Sequence, residues 1–379
     1  MNLLARRSAL DDALLVGAPA ITVILLVTYL SRHEFAVDFQ HAFWVVGHRM
    51  ILGRSPYSWT HAQIASAVSA FPYPALTALL FAPFGLVPES AAAAIWVAGS
   101  MAAVPATLRV LRVRDWRLHA IAFLWWPVII AWQSANMTLV LSLLVALIWR
   151  YRDRPAVAGL LAATLISLKP VLWPIGLWLL ATRRIAATGW ALATGVLLNL
   201  VAWSIVGFDQ LGRYIHLDSA VTTALYRYGY GIISMAVRAG ASRTLGTVLM
   251  VGLSLPLVVL CLWLGSRRRD AQALLIAVVL TLTASPLAWM HYLALLLVPM
   301  AVLRPRMSPE WLLPLVLWLC PGGLHESIWQ VVVFALITAG ATGLLLRRHP
   351  GARARRGSEQ WRPGPPHVLA TPQGGERAG

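Results

Sequence analysis

Apolar runs separated by short polar connections recur along almost the whole chain. They cover residues 13–31, 72–88, 90–111, 118–134, 136–150, 155–168, 170–182, 186–206, 244–265, 271–286, 289–303, 310–321 and 327–346. A helix needs about 20 mainly apolar residues to cross the hydrocarbon of a bilayer. Many of these runs approach that length. The shorter ones, such as 155–168 and 170–182, read as tilted helices or as helices extended by their flanks. The pattern predicts an all-α polytopic membrane protein.

Composition strengthens this reading. The chain is 59% hydrophobic and 12% charged, against roughly 25% charged in a soluble domain. No soluble core absorbs so much apolar sequence, which excludes a sizeable soluble domain. The net charge of +17 would suggest nucleic acid in another setting. Here the arginines sit in short connections and in the C-terminal segment. They read as topology signals and as contacts for anionic headgroups, and no nucleic-acid motif accompanies them. Cys261 and Cys320 each lie inside an apolar run and suggest helix packing rather than a disulfide or thiolate metal site. Arg6 and Arg7 precede run 13–31. That run is too long for a signal core and lacks a clear cleavage site, so it reads as an uncleaved first span.

Arginine-rich connections are 109–117, 150–154, 183–184, 267–269, 304–306 and 347–356; arginine-poor ones are 133–136, 167–170, 285–289 and 321–327. The two kinds alternate from residue 109 onward. The positive-inside rule makes the rich ones cytoplasmic and the poor ones external. Arg6 and Arg7 place the N-terminus inside, so 32–71 is external. One net crossing then fits between 72 and 111. Segment 72–88, interrupted by Pro72, Pro74, Pro83 and Pro88, reads as a re-entrant or interfacial helix. The expectation is about 12 transmembrane helices in a plasma membrane, with both termini cytoplasmic. Loops 32–71 and 207–243 are too long for simple turns and are expected to be ordered on the external surface. Gln40–Leu52 reads as an amphipathic interfacial helix. Residues 1–349 form the expected membrane domain, and 350–379 a disordered basic tail.

The external connections carry most of the polar residues beside membrane segments, and ionisable groups there are costly and usually functional. Asp38 follows the first span among apolar neighbours, where desolvation raises a carboxylate pKa and makes it a better base. It also suits an N-cap for the next helix. Lys169 is the single lysine. It stands at a break between half-length helices, placed to meet an anion or to snorkel to the interface. Gln133 and Asn136 can bond sugar hydroxyls, and Asn136 can also cap the helix that follows. In the string 285–292, His291 can donate to a phosphate oxygen and Trp289 can stack on a sugar. Arg227 lies among Tyr226, Tyr228 and Tyr230, which read equally as an interfacial aromatic belt. His325 and Glu326 form a further external pair. Nothing matches a zinc signature, a nucleotide phosphate loop or a Ser-His-Asp nucleophile motif.

These strings together resemble glycosyltransferase family 87. Asp38-Phe39 and then Gly53-Arg54-Ser55-Pro56-Tyr57 are similar to that family's first external loop. Phe71-Pro72-Tyr73-Pro74 resembles its Tyr-Pro-rich stretch, with Tyr73 on the substrate side. Gln133 and Asn136 resemble its Gln-x-x-Asn turn, Lys169-Pro170 its Lys-Pro element, and Ser285-Pro286 through His291 its Ser-Pro-x-x-Trp-x-His element. The ordered set spans roughly residues 13–345. Trp132, where a glycine is common, and Tyr292, where a second histidine is common, are departures. The resemblance implies the GT-C architecture, an outward-facing site, and a polyprenyl-monophosphate sugar donor carrying mannose or, in some relatives, arabinofuranose. A glycolipid or cell-envelope glycan would be the acceptor.

The implied reaction is inverting. Asp38 would act as general base, Lys169, His291 and Arg227 would hold the departing phosphate, and Gln133, Asn136, Trp289 and Tyr73 would contact the sugars. Such a phosphate leaves well once its charge is clamped, so the chemistry requires no metal or other cofactor. A transporter or lipid flippase would also place polar groups at broken helices, but near the midplane and with access from both sides. A non-catalytic scaffold would tolerate loss of Asp38 and Lys169.

Overall fold

In hydrocarbon every backbone N–H and C=O must find a partner within the protein, and a helix supplies one locally. The apolar runs obey this rule. The computed structural model describes residues 9–65, 70–320 and 328–347, and its ordered elements are all helical. Five of these helices are long and apolar enough to cross a membrane: Ala13–Ser31, Glu89–Val110, Ile185–Val206, Arg243–Ser266 and Ile328–Leu346. A sixth arises if Trp126–Gln133 and Thr138–Arg150, which meet at 118°, count as one span. These residues form one compact unit that ends at Leu345. The C-terminal tail, Arg6, Arg7, His325 and Glu326 lie outside the described residues.

Among the described residues, length and composition thus give five or six spans, and the expected twelve are not confirmed. The difference lies in local backbone breaks that an apolar pattern does not register. Run 118–134 is two helices, Trp116–Leu124 and Trp126–Gln133, parted at Trp125, whose φ of −63° and ψ of 122° are extended rather than helical. Pro127 falls in the first turn of the second piece, where it forfeits no helical hydrogen bond. Run 289–303 begins as a 3-10 helix over Met290–Leu296 and becomes α-helical over Leu297–Leu303. Pro309–Leu319 is 3-10 throughout, with Pro314 inside it. Run 72–88 becomes the helix Ala75–Phe81 and a 3-10 turn Ala82–Leu86. At about 20 Å this pair is shorter than the ~30 Å hydrocarbon core.

The two long loops are ordered where they are described. Residues 39–51 form a π-helix, Phe39–Trp44, running into an α-helix, Val45–Ile51. Its inner face is packed against protein: Phe39, Ala42, Phe43 and Val46 are buried. The second loop carries the helices Gln210–Leu225 and Ile232–Arg238. Cys261 and Cys320 are buried, as packing residues would be.

Three of the arginine-rich turns share one backbone device. Arg112, Arg183 and Arg268 have φ of 62°, 59° and 57°, a left-handed conformation that costs an L-residue roughly 1–2 kcal/mol. Each closes its helix with paired bonds. Arg183 N–H donates to Leu180 O (2.9 Å) and Arg184 N–H to Leu179 O (3.0 Å). This is the Schellman cap, which usually employs glycine. An arginine there sets positive charge against the negative helix end.

Ion pairs then gather these turns. Arg184 bridges Asp153 (3.0 Å) and Asp270 (2.8 Å). Arg117 meets Asp115 (3.1 Å) and Asp11 (3.6 Å), and the other Asp115 oxygen accepts from Met307 N–H at 3.3 Å. Three arginine-poor turns, 133–136, 167–170 and 285–289, line a cavity instead.

A glycine contact fixes the segment that follows Asp38. Gly47 and Gly85 bring the helix Val45–Ile51 and the turn Ala82–Leu86 into backbone contact. A methyl group on either would run into the backbone of Phe81 or of Gly47. Gly85→Ala is therefore expected to lower stability by about 1–3 kcal/mol, the scale of overpacking, read as a drop in the thermal midpoint of the detergent-solubilised protein. Gly189→Ala is the control. Its added methyl meets nothing within 4 Å, and a helical glycine replaced by alanine should hold or raise the midpoint. Equal midpoints for Gly85→Ala and wild type would refute the close contact.

Candidate active site

Three arginine-poor connections and the segment after the first span line one cavity of about 670 Å³. Asp38 is held there by its neighbours. Phe39 is fully buried, with its ring 5.9 Å from Phe81, 5.7 Å from Phe84 and 6.1 Å from Trp96. Trp96 Nε1–H donates to Ala135 O at 2.9 Å, tying the helix Glu89–Val110 to turn 133–136. The backbone completes the link: Ala36 N–H donates to Gln133 O (2.6 Å) and Asp38 N–H to Ser134 O (3.0 Å). Gln133 adds a side-chain donation to Glu34 O.

The turn that faces Asp38 rests on Ala135, another left-handed residue (φ 56°). Ala135 N–H donates to Trp132 O and Asn136 N–H to Ala131 O, again the Schellman pattern. Asn136 is then oriented by its own bonds. Its Oδ1 accepts from Thr138 N–H (3.1 Å) and Thr138 Oγ1 (2.8 Å), so its Nδ2 is left to donate to Asp38 Oδ2 at 3.1 Å. Asn136 thus holds the first N–H of the next helix, one residue before its N-cap Met137, and partners the carboxylate at once. Asp38 itself makes no capping bond, although it precedes the π-helix; its φ and ψ of −66° and −38° are already helical. Burial pushes the Asp38 carboxyl above the usual range, against the opposing pull of the Asn136 amide and the Lys169 charge.

Lys169 is placed by the proline that follows it. A residue before proline is driven from the helical region, and Lys169 adopts φ −146° and ψ 92°, ending the helix Pro155–Leu168. Thr77 Oγ1–H donates to Leu168 O at 2.7 Å, which satisfies a carbonyl at that break. Lys169 is 6% exposed. Its Nζ lies 4.0 Å from the Tyr292 ring centroid and 5.6 Å from that of Tyr73. Aromatic faces attract an ammonium without taking its hydrogens, which leaves N–H donors for an anion in the cavity.

His291 is the second residue of the 3-10 segment Met290–Leu296 and is also 6% exposed. Its ring is 4.9 Å from that of Tyr292, and its Nε2 has no hydrogen-bond partner. A buried imidazole nitrogen with no partner is a costly feature unless a ligand supplies one. Trp289 lines the same wall.

The cavity therefore brings together Asp38, Tyr73, Gln133, Asn136, Lys169, Trp289 and His291. Arg227 is not among its lining residues. Its guanidinium lies beside Tyr226, with Nε donating to that hydroxyl at 3.2 Å. Other lining residues are given no role in the site by the sequence, among them Tyr29, Tyr214, Asp218 and Tyr292. Tyr292 adjoins His291, so the signal for it was adjacency. Tyr29 and Tyr214 sit inside helices, where nothing in the pattern separates a lining tyrosine from a packed one. Among the described residues no three His, Cys, Asp or Glu side chains form a group able to hold a metal ion.

A family model for glycosyltransferase family 87 matches residues 71–289, more than half of the chain. The chain belongs to glycosyltransferase family 87. Within this family 87 chain the matched span contains Tyr73, Gln133, Asn136, Lys169 and Trp289, while Asp38 and His291 flank it. The chain is similar to a polyprenol-phosphate-mannose-dependent alpha-(1-2)-phosphatidylinositol pentamannoside mannosyltransferase of Mycolicibacterium smegmatis. That relative is 26% identical over 274 residues, covering 67% of this chain and 62% of the relative. It is likewise similar to the enzyme of the same description from Mycobacterium tuberculosis, 26% identical over 282 residues, or 68% of this chain and 59% of the relative. The family 87 chain thus spans less than two thirds of the length of either relative. No solved structure matches it.

Proposed function

We propose that the chain is a membrane mannosyltransferase that moves mannose from a polyprenyl monophosphate to a glycolipid or envelope glycan. The observation that carries this reading is one cavity holding a half-buried carboxylate and a buried ammonium with free donors. The family supports a glycosyltransferase, and the two mycobacterial relatives support polyprenol-phosphate-mannose over an arabinose donor.

In the proposed step the acceptor hydroxyl oxygen attacks the anomeric carbon. Its proton passes to Asp38. The bond from the anomeric carbon to the phosphate oxygen breaks, and polyprenyl phosphate leaves with that electron pair. Lys169 Nζ and His291 Nε2 donate to the phosphate oxygens, where charge grows in the transition state. Asn136 holds the base in line, and Gln133, Trp289 and Tyr73 contact the sugars. Attack opposite the leaving group inverts the anomeric centre. Arg227, away from the cavity, has no part in this scheme.

The same proposal carries a GT-C architecture with its site on the external face of the plasma membrane and both termini cytoplasmic. The clustering of arginine-rich turns by Arg184 and Arg117, with the poor turns at the cavity, favours that sidedness. Twelve crossings would require the shorter apolar helices to span by local thinning of the bilayer or by extension through their flanking residues.

The purified protein in detergent is expected to transfer radiolabelled mannose from polyprenyl-phosphate-mannose to a mannolipid. In sealed vesicles it should show no net flux of the donor lipid. Flux without transfer would establish a transporter instead.

A further inference from the structure

One helix contributes to the cavity without a role in the proposed chemistry. Gln210–Leu225 buries Leu217, Val221 and Leu225, which recur at every fourth position. The neighbouring ridge is Tyr214, Asp218 and Thr222, also four apart, and all three line the cavity. Residues four apart lie on one helix face about 6 Å from one another. The cavity wall thus presents a phenol, a carboxylate and a hydroxyl in a row.

Contacts in its first half hold the helix in place. Tyr214 packs its ring 5.6 Å from Tyr57 and 5.8 Å from Trp203. Tyr57 stacks on Trp203 at 5.8 Å and donates its hydroxyl to Tyr73 O at 3.1 Å. Ser55 Oγ–H donates to Gln210 Oε1 at 2.5 Å and pins the start of the helix. Asp218 is the one carboxylate on this helix, and its side chain is open to the cavity. Among the described residues no ion pair or hydrogen bond engages it, which leaves its acceptor capacity for a ligand in the cavity it lines.

Charge sorts what each wall can take. A phosphate is drawn to Lys169 and repelled by a carboxylate, so the Asp218 wall is unsuited to the donor's phosphate. A neutral saccharide is suited to it: its hydroxyls are donors for a carboxylate, and a phenol and a threonine hydroxyl complete the hydrogen bonding. We propose that the ridge Tyr214–Asp218–Thr222 is the subsite for the acceptor saccharide, with Asp218 accepting hydrogen bonds from its hydroxyls. The acceptor then enters between this wall and Asp38, and the donor phosphate lies on the Lys169 side. The word acceptor rests on the mannosyltransferase reading; the saccharide site itself does not.

The test uses the full-length protein in detergent with octyl α-mannoside as the probe. Binding is read by saturation-transfer NMR and transfer is read with polyprenyl-phosphate-mannose. Asp218→Asn is expected to weaken octyl α-mannoside binding and raise its KM by about tenfold or more, the scale of hydrogen bonds to a charged group. The donor KM should stay unchanged. Thr222→Val should give a smaller shift in the same direction. Unchanged saccharide binding in Asp218→Asn would overturn the subsite, as would a fall in kcat at constant acceptor KM, which would make Asp218 a catalytic group. Absence of transfer by wild type would count against the mannosyltransferase reading. A loss of saccharide binding in Asp218→Asn would still stand as support for the subsite.

Discussion

Replacing Asp38 with asparagine is expected to slow mannose transfer by about 10²–10⁴-fold, the usual contribution of a general base. The variant should unfold at the wild-type temperature and bind donor as well as wild type. Both expectations follow from how the segment is held. Phe39 is locked into its aromatic cluster, and residues 36 and 38 bond through their backbone to turn 133–136. None of these contacts needs the carboxylate. The pH profile gives a second reading of the same residue. A base works only when deprotonated, and burial raises the Asp38 pKa. Transfer should therefore rise with pH through a midpoint above the ordinary carboxylate range and fall away on acidification. Loss of that limb in the slow Asp38→Asn variant would tie it to Asp38. A wild-type rate in that variant would exclude the role.

Lys169→Met should have the second largest effect, about 10²–10³-fold in kcat, as for removal of one positioned donor from a developing charge. Methionine keeps the length and apolar stem of lysine but gives the phosphate nothing. Stability should hold or improve, because the variant no longer desolvates an ammonium among aromatic rings. Lys169→Arg is expected to recover little. A planar guanidinium cannot occupy the pocket between Tyr292 and Tyr73 as a compact ammonium does. Full activity in Lys169→Met, measured at saturating donor, would place the phosphate elsewhere.

The apolar pattern made the all-helical membrane architecture legible, and the alternation of arginine-rich turns separated the loops that meet at ion pairs from those that meet at the cavity. Asp38, Asn136, Lys169 and His291 were visible because each is a polar residue stranded beside apolar sequence. What stayed hidden depends on backbone geometry. The helix break at Trp125 and the 3-10 course of Pro309–Leu319 look like uninterrupted apolar runs in the sequence. The left-handed cap at Ala135, which aims Asn136 at Asp38, carries no glycine to announce it. Arg227 showed the reverse error. Among its aromatic neighbours Tyr226 is a partner for the guanidinium itself, while Tyr230 lines the cavity without it. Tyr214 and Asp218 became informative only once the helix Gln210–Leu225 was seen to wall the cavity.

The central claim is that Asp38 and Lys169 serve opposite ends of one reaction in one cavity. It is tested most directly by a structure of Asp38→Asn with polyprenyl-phosphate-mannose bound. The phosphate is expected within hydrogen-bond distance of Lys169 Nζ and His291 Nε2, with the anomeric carbon on the side of residue 38. A donor phosphate bound away from both groups, or a sugar facing away from residue 38, would contradict it.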